Sequence, residues 1–169
     1  MSELAPQPQA KRPKAQLTCR GTADGVLTPE LCAELIFWHT CTCTPGYRAG
    51  VSVATHLQFL QCNKLHGYVP VMKARARVRE AVEAALGLEF QLLHEFTALT
   101  CWHPGSCINA HYDSNRPYLQ QRAVSAICYL NTGGGKDFSG GDFVFLDEDE
   151  LPGDFVEPLG GNKMGSCSG

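Results

Sequence analysis

Gly87 separates two stretches whose apolar residues repeat with different periods, and this change of period limits the chain to mixed architectures. Before it, "VMKARARVREAVEAALG" (residues 71–87) sets Val71, Val78, Val82, Ala85 and Leu86 on one side of a helix, with the basic residues on the other. Gly87 itself supplies the C-terminal stop. After it, "LEFQLLHEFTALTCW" (88–102) alternates: Leu88, Phe90, Leu92, His94 and Phe96 fall on one face, with Glu89, Gln91, Glu95 and Thr97 largely on the other. A helical front and a β-rich back predict an α+β fold.

The flanking segments extend both halves. "VLTPELCAELIFWHTC" opens with Thr28 as helix N-cap and Pro29 in the first turn, where its missing N–H is harmless, and Leu31, Leu35 and Trp38 follow at helical spacing. A further helix is predicted over "VSVATHLQFLQCNK" (51–64). On the β side, "CINAHYD", "RAVSAICYLN", "GDFVFLD" and "GDFVEPL" are short strand candidates separated by Gly, Pro and Asp clusters. That spacing suits a sandwich or barrel with helices packed on one face. "DEDE" (147–150) is expected to be a solvated loop, and "GGNKMGSCSG" at the end is poor strand material.

A chain of 169 residues suits one domain, expected over 21–169, helical at 28–87 and β-rich at 88–169, behind a flexible leader at 1–20. The leader has no apolar core of a secretory signal, and its "KRPK" is either a weak nuclear-import patch or a solvated tail, so a cytoplasmic or nuclear location is expected. No apolar run reaches the ~18 residues of a membrane span. A net charge of −3 argues against a nucleic-acid or anionic-membrane partner. The nine cysteines are then most simply free thiols in a reducing compartment. The competing role is zinc binding by Cys41 and Cys43 with Cys101, His103 and Cys107, although paired C-x₂₋₄-C spacing is missing.

The most suggestive chemistry lies in "INAHYDSNR" (108–116). Residues two apart on a strand project from the same face, with Cα atoms roughly 6.6 Å apart at about 3.3 Å per residue. His111 and Asp113 can therefore reach one ion. The plain alternative is a surface His beside a turn Asp. Two His and one carboxylate on one face of an octahedron are a common cradle for ferrous iron.

With "RAVSAICYLN" and "FSGGDFVF" downstream, the stretch from "TCWHPGSCINAHYDSNR" onward resembles the 2-oxoglutarate- and Fe(II)-dependent oxygenases of the prolyl 4-hydroxylase type, particularly members from plants and green algae. The resemblance covers roughly residues 88–150. It implies a double-stranded β-helix, or jelly roll, with the N-terminal helices packed on one sheet. It implies His111 and Asp113 as iron ligands, and Tyr129 and Ser125 as residues facing the 2-oxoglutarate pocket. Their plain alternatives are a core aromatic and a strand hydroxyl bonded to backbone. No role is carried over to Trp102, which stands where some relatives have a cosubstrate-contacting Tyr. The implied activity is hydroxylation of a protein or peptide side chain, prolyl among the candidates, with 2-oxoglutarate as cosubstrate and L-ascorbate keeping the iron reduced.

The sequence also departs from that family. No histidine follows Asp113, so the distal iron ligand is missing, as is the basic 2-oxoglutarate anchor that follows it. The jelly roll is accordingly expected to be incomplete at its C-terminus. The alternatives are a fragment or splice product, a catalytically inactive jelly-roll binding domain, or a site completed by His94 or His103.

Overall fold

The computed structural model describes residues 20–62, 65–93, 96–113, 117–119, 122–146 and 163–164. The leader up to residue 19, His94, "DEDE" and "GDFVEPL" lie outside these.

Helix α1 (Pro29–Thr42) starts as its sequence dictates. The Thr28 hydroxyl accepts the Leu31 N–H, and Pro29 occupies the first helical position. The Glu30 carboxyl is held below its ordinary value by its backbone N–H and the Thr28 hydroxyl. The helix ends where Cys43 turns extended and its N–H bonds the His39 carbonyl.

Residues 51–64 are not one helix. Val51–Thr55 form strand β2, between the two-residue β1 (Thr44–Pro45) and β3 (Ala98–Trp102), in an antiparallel sheet of order β1-β2-β3. The reason is local and tertiary at once: Val51, Val53 and Thr55 are β-branched and stiff at χ1, and both strand edges find partners. Helix α2 (His56–Gln61) begins only after Thr55. A reciprocal capping box marks that boundary, the Thr55 hydroxyl accepting the Gln58 N–H and the Gln58 side chain accepting the Thr55 N–H at 2.6 Å. The "THLQ" pattern carried this signal.

Helix α3 (Leu65–Leu86) is longer than its sequence pattern predicts, and Pro70 lies inside it. Pro70 lacks the N–H for the helix ladder, but its ring is fully buried in return. The predicted stop is present: Gly87 takes φ +64° and donates to the Glu83 carbonyl at 2.9 Å. The basic residues do not all face away from the apolar stripe, since Arg75, one turn after Val71, is only 7% exposed.

The expected strand over 88–102 is realised only as β3. Upstream of it, the Phe90 N–H donates to the Glu83 carboxylate at 2.9 Å, so this part is bound to α3 by a side chain rather than to a neighbouring strand. Among the described residues, "RAVSAICYLN" and "GDFVFLD" carry no strand ladder. Their link is a turn in which Asp137 N–H donates to the Thr132 carbonyl and its carboxylate accepts the Thr132 N–H at 2.7 Å. Tyr129 and Phe138 stack across that turn with centroids 6.4 Å apart. "CINAHYD" contributes only β4 (His111–Tyr112), which pairs antiparallel with β5 (Lys163–Met164), His111 opposite Met164. The closing segment thus does contain a short strand, against expectation.

The fold is mixed α+β, with a small antiparallel sheet and helices, and the described strands do not close into a barrel. Its core is Leu35, Ala54, Phe59 and Val71, packed by Leu31, Trp38, Leu99 and Leu130 among others. Helical and β segments interleave, so the division at residue 88 does not describe the architecture. Among the described residues no helix is long and apolar enough to cross a membrane.

Gly67 is the tightest point of this core. A Cβ there would come within 2.7 Å of the Trp38 indole and 2.9 Å of Phe59 Cδ1. Gly67→Ala should lower the urea midpoint, because overpacking of about 1–3 kcal/mol exceeds the gain of at most ~1 kcal/mol in helix propensity. Gly21→Ala, where a Cβ meets nothing within 4 Å, serves as the neutral comparison.

Candidate functional site

The chain reaches the H-x-D stretch from β3 through a loop tied to the β1–β2 turn. The His103 N–H donates to the Gly50 carbonyl at 2.8 Å, and Arg48 Nη1 donates to the Cys107 carbonyl at 2.7 Å. Gly50 takes φ +72° and lies against Ser106, whose hydroxyl also donates to its carbonyl. This anchored loop feeds β4.

Burial of Tyr112 sets the geometry that follows. The ring is 2% exposed, and its neighbours His111 and Asp113 are half-buried on the other side of the chain. His111 Nδ1 lies 2.9 Å from the Asn109 carbonyl, which can only accept, so Nδ1 carries the hydrogen. In the neutral ring Nε2 is then an acceptor. It faces another acceptor, Asp113 Oδ1, at 3.7 Å. Two such groups approach favourably only when a proton or a cation lies between them. Donors to one ion held by bonds of about 2.0–2.2 Å lie within roughly 3–4 Å of each other, so a shared divalent ion can span the pair, whereas the gap is too long for a direct hydrogen bond.

The other carboxylate oxygen is engaged differently. Arg122 Nη1 lies 3.8 Å from Asp113 Oδ2, and the guanidinium sits 4.2 Å from the Phe96 ring centroid. Phe96 stacks in turn with Tyr118. Phe96 was read from the sequence only as a strand-face residue, and Arg122 was not singled out. The only available signal was an arginine opening an apolar strand pattern.

The remaining site candidates are dispersed. Ser125 is exposed, and Tyr129 is 54% exposed with its ring on Phe138. Trp102 is paired opposite Val51 in the sheet. His103 is committed elsewhere, its Nε2 3.2 Å from the Ser52 hydroxyl, and His94 lies outside the described residues. Among the described residues no three His, Cys, Asp or Glu side chains gather as a metal site, and Cys41, Cys43, Cys101 and Cys107 are not joined in disulfides. A separate cavity of about 690 Å³ between α3 and residues 89–92 is lined by Met72, Arg75, Arg79 and Phe90, and includes none of the site candidates.

Comparison of the chain with protein-family models, curated proteins and solved structures finds no match.

The thiols are distinguishable by environment. Burial and the nearby Glu30 charge push the Cys32 thiol above its ordinary value, which leaves less thiolate at neutral pH. Iodoacetamide at pH 7.5 should therefore alkylate the exposed Cys41, Cys62 and Cys107 before Cys32. Peptide mass spectrometry against time would show the order.

Proposed function

We propose that this chain is a 2-oxoglutarate- and Fe(II)-dependent oxygenase, or a large part of one, acting on a protein or peptide side chain. The observation that carries the proposal is the approach of His111 Nε2 and Asp113 Oδ1 to 3.7 Å, with Nδ1 held by the Asn109 carbonyl. A ligating imidazole characteristically donates its other N–H in this way, which fixes both ring orientation and tautomer. His111 and Asp113 would hold the ion, which when loaded with 2-oxoglutarate supplies the activation of O₂. The chain's own part is to hold the imidazole and carboxylate outward from the buried Tyr112, with Arg122 beside the carboxylate. Ser125 and Tyr129 are assigned to the cosubstrate pocket by family resemblance alone. So are the jelly roll, the ascorbate requirement and the cytoplasmic or nuclear location.

A second function is favoured by the Arg122–Asp113 ion pair. A guanidinium on the carboxylate competes with any metal, and only two donors converge among the described residues. A two-donor site binds a divalent ion weakly. The alternative is therefore a catalytically inactive binding domain in which the array is a structural ion pair.

The two are separated by titrating the full chain with Mn(II) as an iron surrogate and by measuring Fe(II)-dependent succinate release from 2-oxoglutarate. The oxygenase reading expects Mn(II) binding that His111→Ala weakens by about 10–100-fold or more, with loss of succinate release. A folded chain whose Mn(II) affinity is unaffected by His111→Ala would overturn it in favour of the binding domain.

A further inference from the structure

We propose that the cavity between α3 and residues 89–92 is a binding site for a monoanionic amphiphile, a carboxylate carried on an apolar chain, with Arg79 receiving the charged end. The cavity shares no residue with the His111–Asp113 pair, so the site stands independently of the oxygenase reading.

One wall is the face of α3 formed by Met72, Arg75, Ala76 and Arg79. These recur at i, i+3, i+4 and i+7, the spacing of a helical stripe turned toward a neighbour. The other wall is made by the chain doubling back after Gly87, which ends α3 with φ +64°. The Phe90 N–H, donated to the Glu83 carboxylate at 2.9 Å, fastens that wall to the helix. Residues 89–93 carry no strand ladder, so the wall is a single extended segment. Together the two enclose about 690 Å³, within the ~300–1,000 Å³ of small-molecule sites.

The lining divides by chemistry. Met72, Ala76, Phe90 and Leu92 offer apolar surface, and a thioether adapts to irregular chains. Two guanidiniums and one carboxylate, that of Glu89, leave one positive charge in the lining. Arg75 carries its charge within the wall, 7% exposed and with Nη1 at 3.5 Å from Met72 Sδ, where solvent screens it little. Arg79 stands at the open side, its side chain 46% exposed. Its contact with Glu83 runs through Nε at 3.7 Å, beyond the roughly 2.7–2.9 Å of a charge-assisted hydrogen bond. The Glu83 oxygen in that contact is the one that accepts the Phe90 N–H. A five-donor guanidinium engaged so weakly at one nitrogen can take up a ligand carboxylate and leave Glu83 holding the wall. A cationic ligand meets repulsion from Arg75, and a dianion exceeds the single net charge and faces Glu89.

The probe is decanoate, titrated calorimetrically below its micellar concentration into the full chain in EDTA, with decanol as the same chain lacking the charge. Wild type should bind decanoate about tenfold or more tightly than decanol, the worth of one hydrogen-bonded charge. Arg79→Gln should remove that preference by weakening decanoate and leaving decanol unchanged. Ala76→Phe, which fills the cavity from the helix wall, should weaken both. Arg77→Gln, the same charge loss on α3 outside the cavity, should change neither. Far-UV circular dichroism and the urea midpoint establish that each variant folds, and the exposed Arg79 decides the matter if Ala76→Phe does not. No decanoate binding by wild type, equal affinity for decanoate and decanol, or decanoate affinity indifferent to Arg79→Gln overturns the site.

Discussion

The antiparallel register of β2 and β3, running from Val51 opposite Trp102 to Thr55 opposite Ala98, is the constraint on which the rest of the molecule depends. It joins segments far apart in sequence, and it orients Ala54 and Leu99 from adjacent strands onto the helices that carry Leu35, Phe59 and Val71. Residues opposite each other on paired strands share a face, so one register assigns every side chain of the pair to core or solvent. A slip by one residue would turn Ala54 outward and replace it with a larger or polar neighbour. The same pairing brings the end of β3 to the β1–β2 turn, where the His103 N–H and the Ser106 hydroxyl both donate to the Gly50 carbonyl and hold the loop that leads into the H-x-D stretch.

From there the chemistry of the candidate site is governed by one buried aromatic and one shared carboxylate. Tyr112 takes the inward position, and the period of an extended chain then puts His111 and Asp113 outward together. Asp113 lies between an imidazole that cannot donate from Nε2 when neutral and a guanidinium that can only donate. Its two oxygens consequently do different work, one facing the His111 imidazole, the other the Arg122 guanidinium.

Local signals in the sequence were reliable where local geometry decides the outcome. Thr28 and Pro29 begin a helix because they satisfy its first N–H groups or lack one, and Gly87 ends another because it alone adopts a left-handed backbone without strain. The capping box at Thr55 and Gln58 was equally local, but the apolar run around it obscured the strand in front. Alternation after residue 88 was less informative. Phe90 and its neighbours have the period of a strand, yet the backbone donor there is taken by Glu83 of the preceding helix. The paired side chains of the candidate site were legible from H-x-D spacing, whereas Arg122 and Phe96 were not, since neither belongs to a spacing that links it to Asp113.

The sequence by itself determined the helix boundaries at Thr28 and Gly87, the mixed α+β class, and the placing of an imidazole and a carboxylate on one side of an extended chain. These follow from hydrogen-bond accounting at helix ends and from side-chain period, both of which act within a few residues. Only the tertiary structure decided that Val51–Thr55 would be a central strand, that Arg75 would be buried, that His103 would bond Ser52 instead of approaching His111, and that Arg122 would rest on Phe96 against Asp113. Those outcomes depend on which distant segments compete for the same partner, a choice made by packing and charge across the chain rather than along it.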